Sequence, residues 1–310
     1  CGAPNVAQGQ KVVVATEGAM IYLPNGDSFA IKNSKIRGEE SQGMICAEDE
    51  CDVGNDHDGI LVLRSDAQVG MPAAEYFGVA ADVVLEIGLT ANRGDAASHL
   101  GVANDLAALL KLDFDRITHQ TLPIKPQGRS VSIADSELCY RYVALEIQGL
   151  QLSESPDFVK HRLRAIGIEP RNNVVDTTNY FLHQTGQPMH AFDADLLEGN
   201  IVVRSAVANE KLVLLDGKSI KLDPQDIVIA DASGAIALAG VMGGLKTAVN
   251  ANTKNVLLEV AHFHPTLVRK SAKRHHLHTD ASFRFERGVD VENMANAATL
   301  AGVHLVENCG

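Results

Sequence analysis

The sequence has little of what would place it in several common protein classes. It contains no tryptophan and only 5% aromatic residues, and its five cysteines stand at irregular spacings without a C-x-x-C pair. The odd number and the spacing argue against a disulfide framework and against a structural zinc site. No apolar run approaches the ~18 residues that span a bilayer, and no signal-peptide pattern is present. We therefore expect a cytoplasmic protein.

Positive charge is also scarce. Lys and Arg number 27 against 39 Asp and Glu, which gives a net charge of −12. This charge opposes nonspecific adsorption to nucleic acid, so an RNA contact would need a local basic patch. The sequence contains one candidate patch, a basic run of Arg269, Lys270, Lys273 and Arg274. A basic run is more often a solvated helix face, but this one could contact phosphates.

The composition is otherwise that of a folded protein. Hydrophobic residues make up 45% and charged residues 21% of the chain, and 310 residues are enough for two or three domains. The first residue is Cys1 rather than Met, and a turn-rich stretch follows it. We expect a piece of a longer polypeptide.

The pattern along the chain predicts three domains. Residues 1–80 hold short β runs separated by turns, with an Asn25-Gly26 hairpin signal, which favours a small oligonucleotide-binding-type β-barrel. Residues 81–122 pair a strand over 82–89 with a helix from Ser98, as in part of a small α/β domain. The Pro- and Gly-containing segment 121–128 is a predicted linker to a third domain, 123–310.

The third domain alternates helices with β-hairpins. Strands are predicted over 139–147 and 255–261, a helix capped by Ser155, a second helix over about 173–184 and a last one over about 291–307. This order indicates an α+β domain with a mainly antiparallel sheet. The predicted fold class is α+β and multidomain.

Several polar groups of this domain could carry chemistry. Thr178 and Asn179 lie on an otherwise apolar helix, and His190 follows a turn at Gly186 and Pro188 that would direct it back towards that helix. A lone histidine more often satisfies local backbone groups. The adjacent Gly243 and Gly244 of AGVMGG permit close approach of a ligand to backbone N–H groups, with a tight bulge as the alternative.

Glu259 is a carboxylate in mostly apolar surroundings. Alternation along NVLLEVAHF gives two apolar faces, with Glu259 on one of them. A buried carboxylate is costly unless it is paired or used, and the alternative to a functional role is a salt bridge to Arg284 or Arg287. The histidines near residue 270 form no H-E-x-x-H arrangement, and no cysteine or well-spaced carboxylate set completes a site, so we predict no metal site. No Ser-His-Asp or Cys-His set is evident, so we expect no covalent nucleophile.

Together these segments resemble the β-subunit family of bacterial phenylalanine–tRNA ligase, also called phenylalanyl-tRNA synthetase. The matching stretches, in the family's order, are KIRGEESQGMICAEDE, LTANRGD with SHLGVANDLAAL, NNVVDTTNYFLHQTGQPMHAFDADLL, LAGVMGG and TDASFRFERGVD. The resemblance implies an N-terminally truncated oligonucleotide-binding-like domain over 1–80. Part of a small domain would follow over 81–122, and a complete editing domain, which deacylates tRNA, over 123–310.

The resemblance also implies a function. A pocket shaped for phenylalanine rejects tyrosine only about 100-fold, so a second site must hydrolyse mischarged tyrosyl-tRNA(Phe). The implied partners are tRNA(Phe) and an α subunit, in a heterotetramer of two α and two β chains, with no membrane. This fragment would need no cofactor and would not aminoacylate alone, whereas the full synthetase would use ATP and magnesium. A non-catalytic RNA-binding and assembly module, and less so a metal-dependent hydrolase, stay open as alternatives.

The resemblance assigns roles residue by residue. Thr178, Asn179 and His190 would surround the ester and the attacking water, and Gly243 would supply backbone donors. Glu259 would recognise the tyrosine hydroxyl. The remaining substrate-binding residues would be Met242, Gly244, Thr279 and Ala281.

Overall fold

The computed structural model describes residues 2–23, 26–36, 38–54, 56–79, 83–114, 122, 125 and 128–310. The chain divides into two compact units, Cys1–Val83 and Val84–Gly310. Both helices and sheets are present, so the α+β class is confirmed. Within the described residues, no helix is long and apolar enough to cross a membrane.

The first unit consists of short strands that pair two by two. The ladders are β1–β8, β2–β7, β3–β4 and β5–β6, and a short helix, α1 (Ala73–Tyr76), follows. The strands are β1 (Lys11–Val12), β2 (Val14–Thr16), β3 (Met20–Tyr22), β4 (Ser28–Ala30), β5 (Ser34–Ile36), β6 (Glu39–Ser41), β7 (Gly43–Ile45) and β8 (Val62–Leu63). The β3–β4 hairpin spans the predicted turn, of which Asn25 lies outside the described residues. The described ladders do not join into a closed barrel, because each strand pairs with only one neighbour.

The start of the second unit differs from the expected β-α pattern. The strand predicted over 82–89 is wrong for its described part, because the described residues 83–89 belong to none of the strands of the structure, and Val84 and Leu85 are largely exposed. The helix exists as α2 (His99–Leu110), with the Ser98 hydroxyl accepting from the Gly101 N–H. Its apolar side chains are not buried. The predicted boundary near residue 80 and most of the predicted linker 121–128 lie outside the described residues.

Two sheets form the body of the second unit. A three-stranded sheet has the order β10-β18-β11, and a five-stranded sheet has the order β17-β16-β15-β12-β9. Their strands are β9 (Val131–Ile133), β10 (Cys139–Ile147), β11 (Met189–Asp193), β12 (Ile201–Ser205), β15 (Ile227–Asp231), β16 (Gly234–Leu238), β17 (Met242–Gly243) and β18 (Val256–Phe263). The strands β13 (Lys211–Val213) and β14 (Ser219–Lys221) form a separate antiparallel pair. Every ladder of these sheets except β9–β12 is antiparallel.

Five helices complete this unit. They are α3 (Asp157–Ala165), α4 (Asn173–Thr185), α5 (Pro265–His275), α6 (Asp280–Phe285) and α7 (Met294–Cys309). The helix α4 ends at Gly186 in the left-handed region, as the sequence indicates. It begins after Asn172, whose side chain caps it. Ser155 is not the cap of α3, because Pro156 precedes that helix and the Ser155 hydroxyl donates to the buried Asp176 carboxylate.

The three-stranded sheet separates two hydrophobic cores. The helices α4 and α7 pack on one face against Val256, Leu258 and Val260 of β18. On the other face, Leu257 and Ala261 join the core that the five-stranded sheet completes. The prediction that both faces of β18 are buried is therefore confirmed. Glu259 lies on this second face and is buried.

Candidate functional site

The site begins with two residues that face each other in the three-stranded sheet. His190 of β11 lies directly opposite Glu259 of β18 in the antiparallel ladder. Directly opposed residues point to the same face, and here they share it with Phe192, whose ring centroid is 4.4 Å from that of His190. The imidazole and the carboxyl group therefore both point into the space between the two sheets.

A cavity of about 70 Å³ lies at this position. A single water needs only about 10–15 Å³ by a comparable measure, so the cavity can hold more than one small group. Its walls are formed by the start of β11, by the strands β15, β16 and β18, by the turn that precedes β17, and by the helix α6. The lining residues are Pro188, Met189, His190, Ile229, Ala237, Leu238, Gly240, Val241, Met242, Gly243, Glu259, Ala281 and Phe285.

Gly243 is required by close packing against His190. A Cβ atom at this position would come within 2.5 Å of the imidazole Nε2, so only glycine lets the ring lie against the β17 backbone. Gly244 has a different role. A Cβ there would collide with the Ile236 carbonyl oxygen, to which the Gly244 N–H already donates at 2.8 Å. Gly244 therefore allows the chain after β17 to approach the backbone of β16 closely, and it is not among the lining residues.

Burial controls the charge of both central residues. Glu259 is only 6% exposed, and burial alone raises its pKa to about 8. Burial likewise lowers the pKa of His190 to about 4, and its Nε2 atom is buried without a hydrogen-bond partner in the described residues. Because desolvation disfavours the charged form of either group, both side chains are neutral near pH 7.

The alternative of a structural salt bridge at Glu259 does not hold. Arg284 bonds to Asp280 at 3.0 Å, and Arg287 bonds to Glu286 at 2.6 Å. Within the part of the chain that the structure describes, no ion pair or hydrogen bond neutralises Glu259. The carboxyl group thus remains available to a ligand in the cavity.

The other sequence-predicted site residues divide into two groups. Met242 and Ala281 line the cavity, and the Thr279 hydroxyl supports it by accepting from Ser282 and donating to the Val241 carbonyl. Thr178 and Asn179 are not among the lining residues. The Thr178 hydroxyl donates to the Val175 carbonyl within α4, which packs on the opposite face of the three-stranded sheet. Their catalytic role stays a prediction.

Sequence reasoning missed Phe285 and Pro188 as lining residues. Phe285 had a usable signal, because it follows Ala281 by four residues and such a pair shares one helix face. Pro188 was noted only as part of a turn. The sequence does not indicate that apolar residues of β15 and β16 line the cavity, because only the tertiary fold brings these strands close to His190.

The predicted basic patch on α5 contains fewer free cations than expected. Arg269, Lys270 and Lys273 are exposed, but Arg274 forms an ion pair with the fully buried Asp226. Burial would raise the pKa of Asp226, but hydrogen bonds from the Asp223 N–H, His275 and Ser271 bring it below its usual value. Arg274 thus balances a buried charge, because Asp226 must remain paired.

The described residues also contain no group of three His, Cys, Asp or Glu side chains that could hold a metal ion.

Family profiles match both parts of the chain. The profile described as "Putative tRNA binding domain" matches residues 1–72, and that of the B3/4 domain matches residues 138–310, which include every lining residue of the cavity. The chain belongs to the B3/4 domain family. The candidate site is thus a cavity inside its B3/4 domain.

Individual relatives agree with this assignment. The chain is 47% identical over 324 residues to the phenylalanine–tRNA ligase beta subunit of Bacteroides fragilis, covering 100% of this chain and 39% of that protein. It is 48% identical over 318 residues to the one of Porphyromonas gingivalis, with the same coverage. The resemblance to this family is confirmed, and the chain spans about two fifths of the length of these relatives.

A solved structure shows a more distant likeness. It is an N-terminal fragment of the phenylalanyl-tRNA synthetase beta-subunit from Pyrococcus horikoshii, with a TM-score of 0.41 and 16% identity. The match covers 70% of this chain and 59% of that one. This likeness is too weak to support an argument about function.

Proposed function

We infer that the B3/4 domain of this chain carries an editing site that hydrolyses mischarged tyrosyl-tRNA(Phe). The observation that carries this inference is the pairing of His190 and Glu259, two buried polar side chains in one cavity. Among the described residues, His190 Nε2 has no hydrogen-bond partner, and burial alone shifts the pKa of Glu259. Buried polar groups without partners are costly, so their retention indicates a use. The beta-subunit relatives support the choice of substrate.

Selection of tyrosine follows from the chemistry of Glu259. A protonated carboxyl group can donate one hydrogen bond and accept others, so it can pair with a phenolic hydroxyl. Phenylalanine offers no such partner and would leave the buried carboxyl group unsatisfied, at a cost of about 1–3 kcal/mol. The apolar remainder of the cavity suits the aromatic ring. The site would therefore retain the wrong amino acid and reject the correct one.

Hydrolysis would use a positioned water. A neutral imidazole both donates and accepts hydrogen bonds, so His190 can hold a water near the ester. Its lowered pKa makes it a weak base, which favours an orienting role over proton abstraction. Backbone groups near Gly243 would stabilise the developing oxyanion. Thr178 and Asn179 belong to this proposal by family resemblance rather than by contact with the cavity.

The proposal extends to the protein that this chain would belong to. The beta-subunit relatives support an α-subunit partner, which would form an α2β2 assembly in the cytoplasm. The full ligase would use ATP and magnesium at its synthetic site. The match over residues 1–72 supports tRNA binding by the first unit, through an oligonucleotide-binding barrel that the full polypeptide would complete. The exposed Arg269, Lys270 and Lys273 are the proposed tRNA contacts of the B3/4 domain.

Deacylation assays test this function. We expect the chain to hydrolyse tyrosyl-tRNA(Phe) faster than phenylalanyl-tRNA(Phe), at the same rate with and without a chelator. Binding of tRNA without hydrolysis would instead identify a non-catalytic RNA-binding module. Loss of activity on chelation, restored by added metal, would identify a metal-dependent hydrolase.

A further inference from the structure

A segment that precedes the B3/4 domain in sequence packs behind the cavity. Residues 94–99 lie before and at the start of α2, outside both matched family profiles. A Cβ atom at Gly94 would come within 2.5 Å of the Gly288 carbonyl oxygen and 2.8 Å of that of Arg287. The backbone of this segment therefore touches the chain that leaves α6.

Arg284 connects this segment to the cavity wall. Its side chain is 6% exposed, and its Nε donates to the Ala97 carbonyl at 3.0 Å. One terminal nitrogen donates to the carbonyl and the carboxylate of Asp280, and the other contacts Nδ1 of His183 at 3.2 Å. Because a guanidinium only donates, His183 must accept through Nδ1 and be neutral. Burial, the largest cause, and the nearby Arg284 lower the pKa of His183 to about 4.

The same segment also contacts the end of α4, just before the lining residue Pro188 in sequence. Nδ1 of His99 lies 3.0 Å from the His183 carbonyl oxygen at the end of α4. A Cβ atom at Gly186 would lie 3.2 Å from the Ser98 Cβ. From Gly186 the chain continues to Pro188 and His190, which line the cavity.

We propose that Arg284 is a positioning residue that clamps α6 to residues 94–99, so that a segment outside the B3/4 domain fixes the amino-acid pocket. The helix α6 has six residues and carries the lining residues Ala281 and Phe285. A helix this short is not stable by itself, so its tertiary contacts set its position. Thr279 holds its first turn to the Val241 carbonyl, and Arg284 holds its last turn.

Gly94→Ala tests the clamp from outside the domain. The new Cβ would meet backbone oxygens that cannot move aside alone, so the segment must shift away from α6. Gly88→Ala is the matched control, because nothing lies within 4 Å of its added Cβ. We expect amide hydrogens of α6 to exchange at least ten-fold faster in Gly94→Ala, and at the wild-type rate in Gly88→Ala.

Arg284→Lys tests the clamp from inside, with Arg162→Lys on α3 as the control. Lysine keeps the charge but loses the planar fork, so it cannot bond Ala97, Asp280 and His183 together. Selectivity is measured as the ratio of binding constants of non-hydrolysable tyrosyl- and phenylalanyl-adenosine analogues. We expect this ratio to fall at least five-fold in Arg284→Lys and Gly94→Ala, and to stay at the wild-type value in both controls.

The outcomes separate this proposal from the editing function on which its selectivity part rests. Unchanged α6 exchange in both folded variants would overturn the clamp. Faster exchange with unchanged selectivity would show a purely structural contact and also overturn it. If the wild-type chain shows no preference for the tyrosyl analogue, the editing function fails, and α6 exchange still decides whether the clamp exists.

Discussion

His190 and Glu259 face each other across the ladder between β11 and β18, at the wall of one apolar cavity. Burial moves their pKa values in opposite directions, to about 4 for the imidazole and about 8 for the carboxyl group. Both shifts favour the neutral form. The cavity thus contains two hydrogen-bonding groups without a net charge near pH 7.

Glu259→Ala should reduce selectivity rather than affinity in general. Because Glu259 is protonated near pH 7, its hydrogen bond to a tyrosine hydroxyl should contribute about 0.5–1.5 kcal/mol, the range for neutral groups. Tyrosine-bearing analogues should bind several-fold more weakly, and phenylalanine-bearing analogues equally well or better. Isothermal titration calorimetry with both analogues measures the difference. Equal losses for both, in a variant that remains folded, would contradict hydroxyl recognition.

Glu259→Gln should flatten the pH dependence of stability between pH 6.5 and 8. The folded-state pKa of Glu259 is raised from 4.5, so stability falls as pH rises from 4.5 to about 8. The folded-state pKa of His190 is lowered from 6.5, so its contribution rises with pH from about 4 to 6.5. The two oppose each other up to about pH 6.5, and above it the His190 contribution is nearly complete, whereas Glu259 still lowers stability by up to about 1.4 kcal/mol per pH unit.

Urea unfolding at pH 6.5 and pH 8 measures this effect. The wild-type chain should lose about 2 kcal/mol more than Glu259→Gln over this interval. Glu137→Gln, at an exposed position, is the matched control and should behave as the wild type does. Identical curves for the wild type and Glu259→Gln would show that the carboxyl group is already ionised at pH 6.5.

His190→Gln should lower deacylation of tyrosyl-tRNA(Phe) at least ten-fold while the domain stays folded. Glutamine keeps a donor and an acceptor and fills much of the same volume, but it cannot place them as the imidazole does against Phe192. Single-turnover deacylation and thermal unfolding are measured together. A lower melting temperature with unchanged activity would assign His190 a structural role only.

Gly243→Ala should act through His190. The added Cβ would overlap the imidazole, so the ring must move and deacylation should fall. Gly244→Ala is the informative comparison, because its Cβ would collide with the Ile236 backbone and should mainly lower the free energy of unfolding. Chemical-shift changes of the His190 ring in Gly243→Ala, measured by NMR, would show the displacement directly. An unmoved ring would contradict this account.

Arg274→Ala should destabilise the domain, whereas Lys270→Ala should not. Removal of Arg274 leaves the buried Asp226 carboxylate with fewer partners, and we expect a loss of about 1–3 kcal/mol in the free energy of unfolding. Lys270 is exposed on the same helix, and its loss should affect tRNA binding alone. Denaturant unfolding and filter binding of tRNA(Phe) separate the two effects.

Local patterns determined many elements of this protein. The strand β18 with two apolar faces, the helix α4 and the glycine that ends it were all predictable, because alternation, helical spacing and termination signals are properties of neighbouring residues. Resemblance in the quoted motifs also indicated the family. The strand expected over 82–89 is not formed in its described part, because an apolar run becomes a strand only when it joins a sheet.

Only the tertiary structure decided the composition of the cavity. His190 faces Glu259 because of the register between two strands that are far apart in sequence. Gly243 touches the imidazole because of the way the two sheets pack together. Arg274 is paired because Asp226 lies beneath α5. A short-range pattern contains no information about such contacts, because register and sheet packing are fixed by the burial of the whole core.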